Sequence, residues 1–191
     1  MKTRFLGFLC TALFAAGILL GAAGTTFAHS MPYEETTLIL DDIPDGGLSE
    51  LYPRQSTLKE ARRAVVRAGL ADDYQSKDFT GDGMRFVTFD FNYAEHFIFR
   101  AVTAANDTRD AGALTVTSYD VMGKSVRTLA GLCVGMEYAD VVELYGEASF
   151  VDENEPPFVS YIYAFESKAA TLTFDVDDAG IIQAIKFRSE I

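Results

Sequence analysis

Cysteine, histidine, proline and tryptophan are all scarce in this chain of 191 residues: two, two, five and none. Two cysteines, Cys10 and Cys133, allow one disulfide at most, which excludes the cross-linked scaffolds of small secreted domains. His29 and His96 are too few and too far apart for a histidine-led metal site, and no Cys-x2-Cys spacing accompanies them. No metal and no cofactor is therefore expected. Basic residues are few as well: 16 Lys and Arg face 28 Asp and Glu, a net charge of −12. A negative field of that size argues against nucleic acid or an anionic membrane as the main partner. Catalytic signatures are missing too. No Ser sits in a Gly-x-Ser-x-Gly turn, and no Ser-His-Asp, Cys-His or paired-carboxylate set can be assembled, so neither an enzyme nor a catalytic residue is expected. What is present is 49% apolar composition, enough for a core and too much for wholesale disorder.

Lys2 and Arg4 make a short positive start, and no Asp, Glu, Lys or Arg returns until Glu34. The apolar run Phe5–Leu20 is followed by a looser stretch with small residues at Thr26 and Ala28. That order describes a secretory signal over residues 1–28, cut after Ala28, and hence a periplasmic or secreted protein. The rival reading is a retained anchor, but the 16 residues of the run fall short of the roughly 20 that span a bilayer. Lipidation of Cys10 does not fit, because Phe8-Leu9 precede it and the apolar run has barely begun. Cleavage would leave residues 29–191 with a net charge of −14 and Cys133 as the single cysteine, so no internal disulfide and no stable membrane span. Cys133, within Gly131-Leu-Cys-Val-Gly135, reads as a buried small hydrophobe.

Two stretches rhyme. Phe86–Ala94 aligns without gaps on Thr171–Ala179, with Thr88-Phe89-Asp90 recurring as Thr173-Phe174-Asp175. Each is followed by a second β-rich run, Phe97–Thr103 and Ile181–Phe187, so each reads as a β-hairpin. Upstream of each lies a helix candidate. In the first, Thr57-x-x-Glu60 is a capping box, Leu58, Ala61, Val65 and Ala68 recur at helical spacing, and Gly69 closes it. In the second, Glu137–Tyr145 carries Val141, Val142 and Tyr145 and is closed by Gly146. Leu114–Tyr119 and Phe158–Phe165 read as further strands. The spacing predicts two α-then-β-meander repeats, residues 29–120 and 129–191, joined by a linker over 121–128. The expected fold is α+β: one mostly antiparallel sheet with helices packed on one face.

Gly135-Met136-x4-Val141-x2-Leu144-Tyr145-Gly146-Glu147, an acidic loop, Tyr161-x-Tyr163 and Leu172-x-Phe174-x-Val176 before Ile181 together resemble the repeat of the β-lactamase-inhibitor-protein-like fold. The SmpA/OmlA outer-membrane assembly lipoproteins share that fold. The resemblance covers about 60 residues of the second half well and the first half loosely. It implies tandem α-then-β repeats merged into one sheet, with one sheet face free to bind protein. Two departures stand out: the inhibitor's disulfides cannot form here, and the lipoproteins' modified cysteine has no counterpart.

Alternation along the strands predicts the free face. Leu172, Phe174 and Val176 should point inward, with Val87, Phe89, Phe91, Phe97, Phe99, Val159, Tyr161, Tyr163, Phe165, Ile181, Ile185 and Phe187. Thr88, Val102, Ser160, Ala184 and Arg188 then point outward together with Phe86, Asp90, Ile98, Arg100, Phe158, Ile162, Asp175, Ile182 and Lys186, and these last nine, an apolar patch mixed with charge, are the candidate protein-binding surface. A bland sheet face, covered by the N-terminal segment or by a homodimer partner, is the competing account. Asp175-x-Asp177-Asp178, Asp72-Asp73 and Asp78-x3-Asp82 lack the ligand offsets of a calcium loop and read as turns. Arg54, Lys59, Arg62, Arg63 and Arg67 gather five of the 14 basic residues that survive cleavage on or beside the first helix. The functional expectation is an exported, non-catalytic protein-binding module whose partner is another envelope or extracellular protein. The alternative is a small-molecule or peptide binder, or a hydrolase, with a cleft between the two repeats.

Overall fold

The computed structural model describes residues 30–42, 46–71, 73–91, 96–154 and 156–190. The expected leader over 1–28, His29, Asp72 and residues 92–95 lie outside the described residues. Among the described residues no helix is long and apolar enough to cross a membrane.

The elements run β1 (Leu38–Asp42), β2 (Gly47–Leu51), α1 (Leu58–Arg67), β3 (Gln75–Gly81), β4 (Met84–Phe91), β5 (Phe97–Ala104), β6 (Ser118–Val121), β7 (Arg127–Thr128), α2 (Tyr138–Tyr145), β8 (Phe150–Asp152), β9 (Val159–Phe165), β10 (Ala170–Val176) and β11 (Ile182–Ser189). This is a mostly-sheet α+β protein. Eight strands form one antiparallel sheet in the order β3-β4-β5-β6-β11-β10-β9-β8, and β2-β1-β7 form a small second sheet.

Local chemistry explains the boundaries. Thr57 Oγ1 accepts from the Glu60 N–H at 3.2 Å and Glu60 Oε2 accepts from the Thr57 N–H at 2.7 Å, closing the capping box that starts α1. The β3–β4 turn places Asp82 and Gly83 at φ 52° and 75°, the left-handed pair that a tight hairpin with matching twist requires. In the β10–β11 turn, Asp177 Oδ1 accepts from the N–H groups of Ala179 and Ile181, so this acidic segment is a turn held by its own carboxylate.

One hydrophobic core lies against one face of the large sheet. Val87, Phe89, Phe91, Phe97, Phe99, Leu172, Phe174 and Phe187 from that sheet pack with Leu58, Ala61 and Val65 of α1, Tyr138 and Val141 of α2, and Leu38, Leu40 and Leu51 of the small sheet. The predicted inward alternation of β4, β5 and β10 is what the structure shows.

Other elements differ from the sequence reading. The expected strand Leu114–Tyr119 begins only at Ser118 and runs on to Val121, because Leu114 O and Val116 N bond to Leu58 and Ser56 at the start of α1 instead. The segment 121–128 holds β7, which pairs with β1. Strands β1, β2, β3 and β8 carried no recognisable period: all but the last residue of β3 is exposed, so no alternation could betray it. Cys133 is half-buried rather than buried, and is a free thiol.

Candidate protein-binding surface

Register brings side chains from six strands into rows across the face opposite the core. One row reads Thr88, Arg100, Ser118, Arg188, Thr171 and Ala164; the next reads Asp90, Ile98, Asp120, Lys186, Thr173 and Ile162. Seven of the nine sequence-predicted residues take clear places on this face. Asp90, Ile98, Arg100, Ile162, Lys186 and Phe86 are half-buried there. Phe86 stacks on the exposed Phe79 with ring centroids 5.2 Å apart. Asp175 joins them but is only 4% exposed, sunk beneath its partners. Phe158 lies just before β9, at the same alternation phase, and is exposed.

Ile182 is a correction. It is fully buried in the core, at 0% exposure. The β10–β11 ladder breaks between Asp175 and Val176: Asp175 faces Ala184, whereas Val176 faces Ile182. Gln183 is the extra residue of this bulge, so the inward phase of Ile185 and Phe187 shifts by one below it. A period-2 argument carried through the bulge therefore assigns Ile182 to the wrong face.

Charge on the face is organised rather than scattered. Arg100 Nη1 donates to Asp120 Oδ2 at 2.8 Å, while Arg188 Nη2 stands 2.5 Å from Asp120 Oδ1. The second contact is off the hydrogen-bond direction, so that oxygen is held by charge rather than by a directed bond. Arg188 Nη1 donates to the carbonyls of Tyr119 and Phe187, which ties the guanidinium to the backbones of β6 and β11. Asp175 is shared likewise: Ser160 Oγ donates to Oδ1 at 2.7 Å and Lys186 Nζ lies 2.5 Å from Oδ2. At the lower edge His96 Nε2 meets Asp90 Oδ1 at 2.9 Å. The two buried carboxylates pin three half-exposed or exposed cations in a lattice, so the polar part of the face is held in place before any partner arrives.

Asp120 was missing from the sequence-derived set, whereas alternation had already placed Arg188 outward without naming it as a binding residue. Asp120 fell just past the strand as the sequence marked it, and the only signal was that alternation continues through Tyr119-Asp120-Val121.

Behind the sheet is a second polar cluster, buried. Glu35, in the turn before β1, is 2% exposed and accepts from the Thr128 hydroxyl and from the Ala130 N–H at 3.0 Å, with Tyr145 also in contact. Burial pushes its carboxyl above the usual range despite those donors, and the same cluster pushes the Tyr145 hydroxyl up to about 12, burial again acting first. A cleft of about 500 Å³ separates Tyr33, Pro53 and Arg54 from residues 166–169, bridged where Arg54 Nη1 donates to Lys168 O at 2.7 Å. Among the described residues no three His, Cys, Asp or Glu side chains come together as a metal set.

No family model matches the sequence, and comparison with curated proteins finds no match either. Solved structures with some likeness include a DUF4309 family protein from Bacillus subtilis, 13% identical with a TM-score of 0.40, covering 73% of this chain and 82% of that one. An extracellular protein containing a SCP domain from Bacillus anthracis is 9% identical with a TM-score of 0.36, over 68% of this chain. A cysteine-rich secretory protein from Staphylococcus aureus is 11% identical with a TM-score of 0.38, over 73% of this chain. The chain spans 43% and 49% of the length of those last two. None of the three is described as a β-lactamase inhibitor or an assembly lipoprotein.

Proposed function

We propose that this chain is an exported, non-catalytic protein-binding module that seats an envelope or extracellular protein on the open face of its eight-stranded sheet. The observation that carries the reading is the pair of adjoining rows in which Ile98 and Ile162 flank Arg100, Arg188 and Lys186, cations pinned by the buried carboxylates of Asp120 and Asp175. Such a surface offers apolar area at its ends and a fixed charge pattern at its centre, which is the composition of a specific, transient interface. Export rests on the leader pattern of residues 1–28.

The tandem-repeat architecture and the inhibitor-like resemblance belong to this proposal. We read α1 with β3–β6 as one repeat and α2 with β8–β11 as the other. The strand order favours it, since β6 and β11 pair at the centre and the remaining strands run outward in matching sequence on each side. The sheet position of β4 then matches β9, whereas the Thr-Phe-Asp rhyme had matched it to β10.

The test is site-specific photo-crosslinking with the reactive group at Ile98 or Ile162, and with exposed Leu144 of α2 as the off-face control. Binding on the face yields the same foreign protein from both face positions and not from Leu144. Crosslinks common to all three positions, or none from the face, would sink the reading. A crosslinked dimer of this chain would replace it with self-association.

A further inference from the structure

We propose that the outer edge of β3 is a self-association site, where a second copy of this chain pairs its own β3 antiparallel about a two-fold axis at Phe79. Strand β3 ends the eight-stranded sheet, and among the described residues it pairs with β4 alone. Every residue from Gln75 to Thr80 is exposed, and only Gly81 is half-buried, so no other element covers the strand. Native sheets commonly blunt such an edge with proline or a bulge. Here the strand contains no proline, and the β3–β4 register runs unbroken from Gln75 opposite Asp90 to Gly81 opposite Met84.

The turn fixes the backbone phase of that edge. Gly83 O accepts from the Ala105 N–H at 3.0 Å, so Gly83 faces the β5 side. Alternation then aims Met84, Phe86 and Thr88 at β3. Their partners Gly81, Phe79 and Lys77 direct their N–H and C=O groups to β4, whereas Ser76, Asp78 and Thr80 aim theirs outward.

Charge selects the register. A two-fold perpendicular to the sheet sets each residue opposite one on the same face, so the axis passes through a residue. At Lys77 or Asp78 it would set like charges directly opposite, and at Thr80 it would set Asp78 against the partner's Asp82, all destabilising. Axes nearer either end run the ladder off the strand. At Phe79 it sets Phe79 against the partner's Phe79, Lys77 against Gly81 and Asp78 against Thr80, with no like-charge pair. The outward groups of Asp78 and Thr80 then bond each other on either side of the axis, and the Phe79 pair falls at the closer, non-hydrogen-bonded spacing of about 4.5 Å between Cα atoms.

The side chains agree with that register. Phe79 is 56% exposed and stacks on Phe86, so the pairing continues their aromatic row across the axis and covers the exposed ring. Arg85 already holds both oxygens of Asp78, at 2.9 and 2.6 Å. Like edges meeting about a two-fold close the assembly at two copies. The two open faces then form one continuous face. The pairing uses neither Ile98 nor Ile162, and it stands whether or not a partner docks there.

Sedimentation equilibrium of the exported protein should show a monomer–dimer equilibrium, dissociating on dilution because the interface is small. Amide exchange at Asp78 and Thr80 should slow as concentration rises. Phe79→Glu sets two carboxylates opposite each other at an exposed position, and should raise the dissociation constant by at least about tenfold. In a Cys133→Ala background treated with diamide, Phe79→Cys should give a disulfide-linked dimer, because the paired Cα atoms lie within disulfide reach. Lys77→Cys should not, since its two copies would stand about 13 Å apart along the ladder, beyond the limit of about 7 Å. A monomer at every concentration up to about 1 mM would overturn the proposal. So would a dimer indifferent to Phe79→Glu, one that leaves the Asp78 and Thr80 amides unprotected, or equal crosslinking through Lys77→Cys, each of which places the contact elsewhere.

Discussion

The hydroxyl of Tyr119 donates to the carbonyl oxygen of Thr36 at 2.8 Å, tying the central strand β6 to the segment that leads into β1. Tyr119 is fully buried, and burial first, then the negative charge of Glu35, holds its hydroxyl well above the usual tyrosine range, so it stays a donor. One side chain thus stitches the large sheet to the small one.

Tyr119→Phe removes that donor and leaves the Thr36 carbonyl without its partner. We expect a loss of about 1–2 kcal/mol in unfolding free energy. Urea denaturation should show a lower midpoint with an unchanged slope; an unchanged midpoint would mean the bond contributes nothing.

Glu35 gives the cluster a pH dependence of known sign. Its folded carboxyl is raised above its ordinary value of 4.5, so its contribution is full below that value and lost as pH rises through the folded one. Asp78 and Glu60 are lowered, by hydrogen bonds from Arg85 and Thr57, and act in the opposite direction, losing stability as pH falls. Comparing the protein with Glu35→Gln cancels the latter two. Between about pH 4 and about pH 8 the stability difference, protein minus variant, should fall as pH rises. A flat difference would remove Glu35 as a titrating group.

The two faces of the sheet can be told apart by one pair of substitutions. Ile182→Ala opens a cavity in the core and should cost about 2–5 kcal/mol, whereas Ile98→Ala on the open face should cost under about 1.5. Thermal or urea unfolding of the two variants decides it. Equal costs would contradict the bulge at Asp175/Val176.

The Arg100–Asp120–Arg188 cluster should behave as a unit. Asp120→Ala frees two guanidiniums and should cost about 1–3 kcal/mol, a value moderated because both arginines reach solvent. Either Arg→Ala change leaves Asp120 one partner and should cost less. A double-mutant cycle between Arg100 and Asp120 should give a coupling energy distinguishable from zero.

Much of the sheet was legible because its core strands alternate. Phe89 and Phe174 each sit between polar neighbours, and the pairing of Phe165 with Ala170 follows from where the short turn must close. Helix α1 was legible from its capping box, and α2 from its apolar residues and the closing Gly146. The Thr-Phe-Asp rhyme misled on position: Thr88-Phe89-Asp90 lies in the third strand out from the β6–β11 junction and Thr173-Phe174-Asp175 in the second. The shared letters report a shared alternation, half-buried on one side, and that pattern recurs in any strand of such a sheet.

The sequence by itself determined which residues alternate, where the helices start and stop, and that α1 carries basic charge in an acidic chain, because these are local consequences of side-chain chemistry and backbone period. Only the tertiary structure decided that Asp120 lies between two arginines from strands on either side of it, that Glu35 is buried against Thr128, and that a bulge turns Ile182 into the core. Each of those depends on register between segments far apart in the chain, and a one-residue shift there reverses a face without changing any local signal.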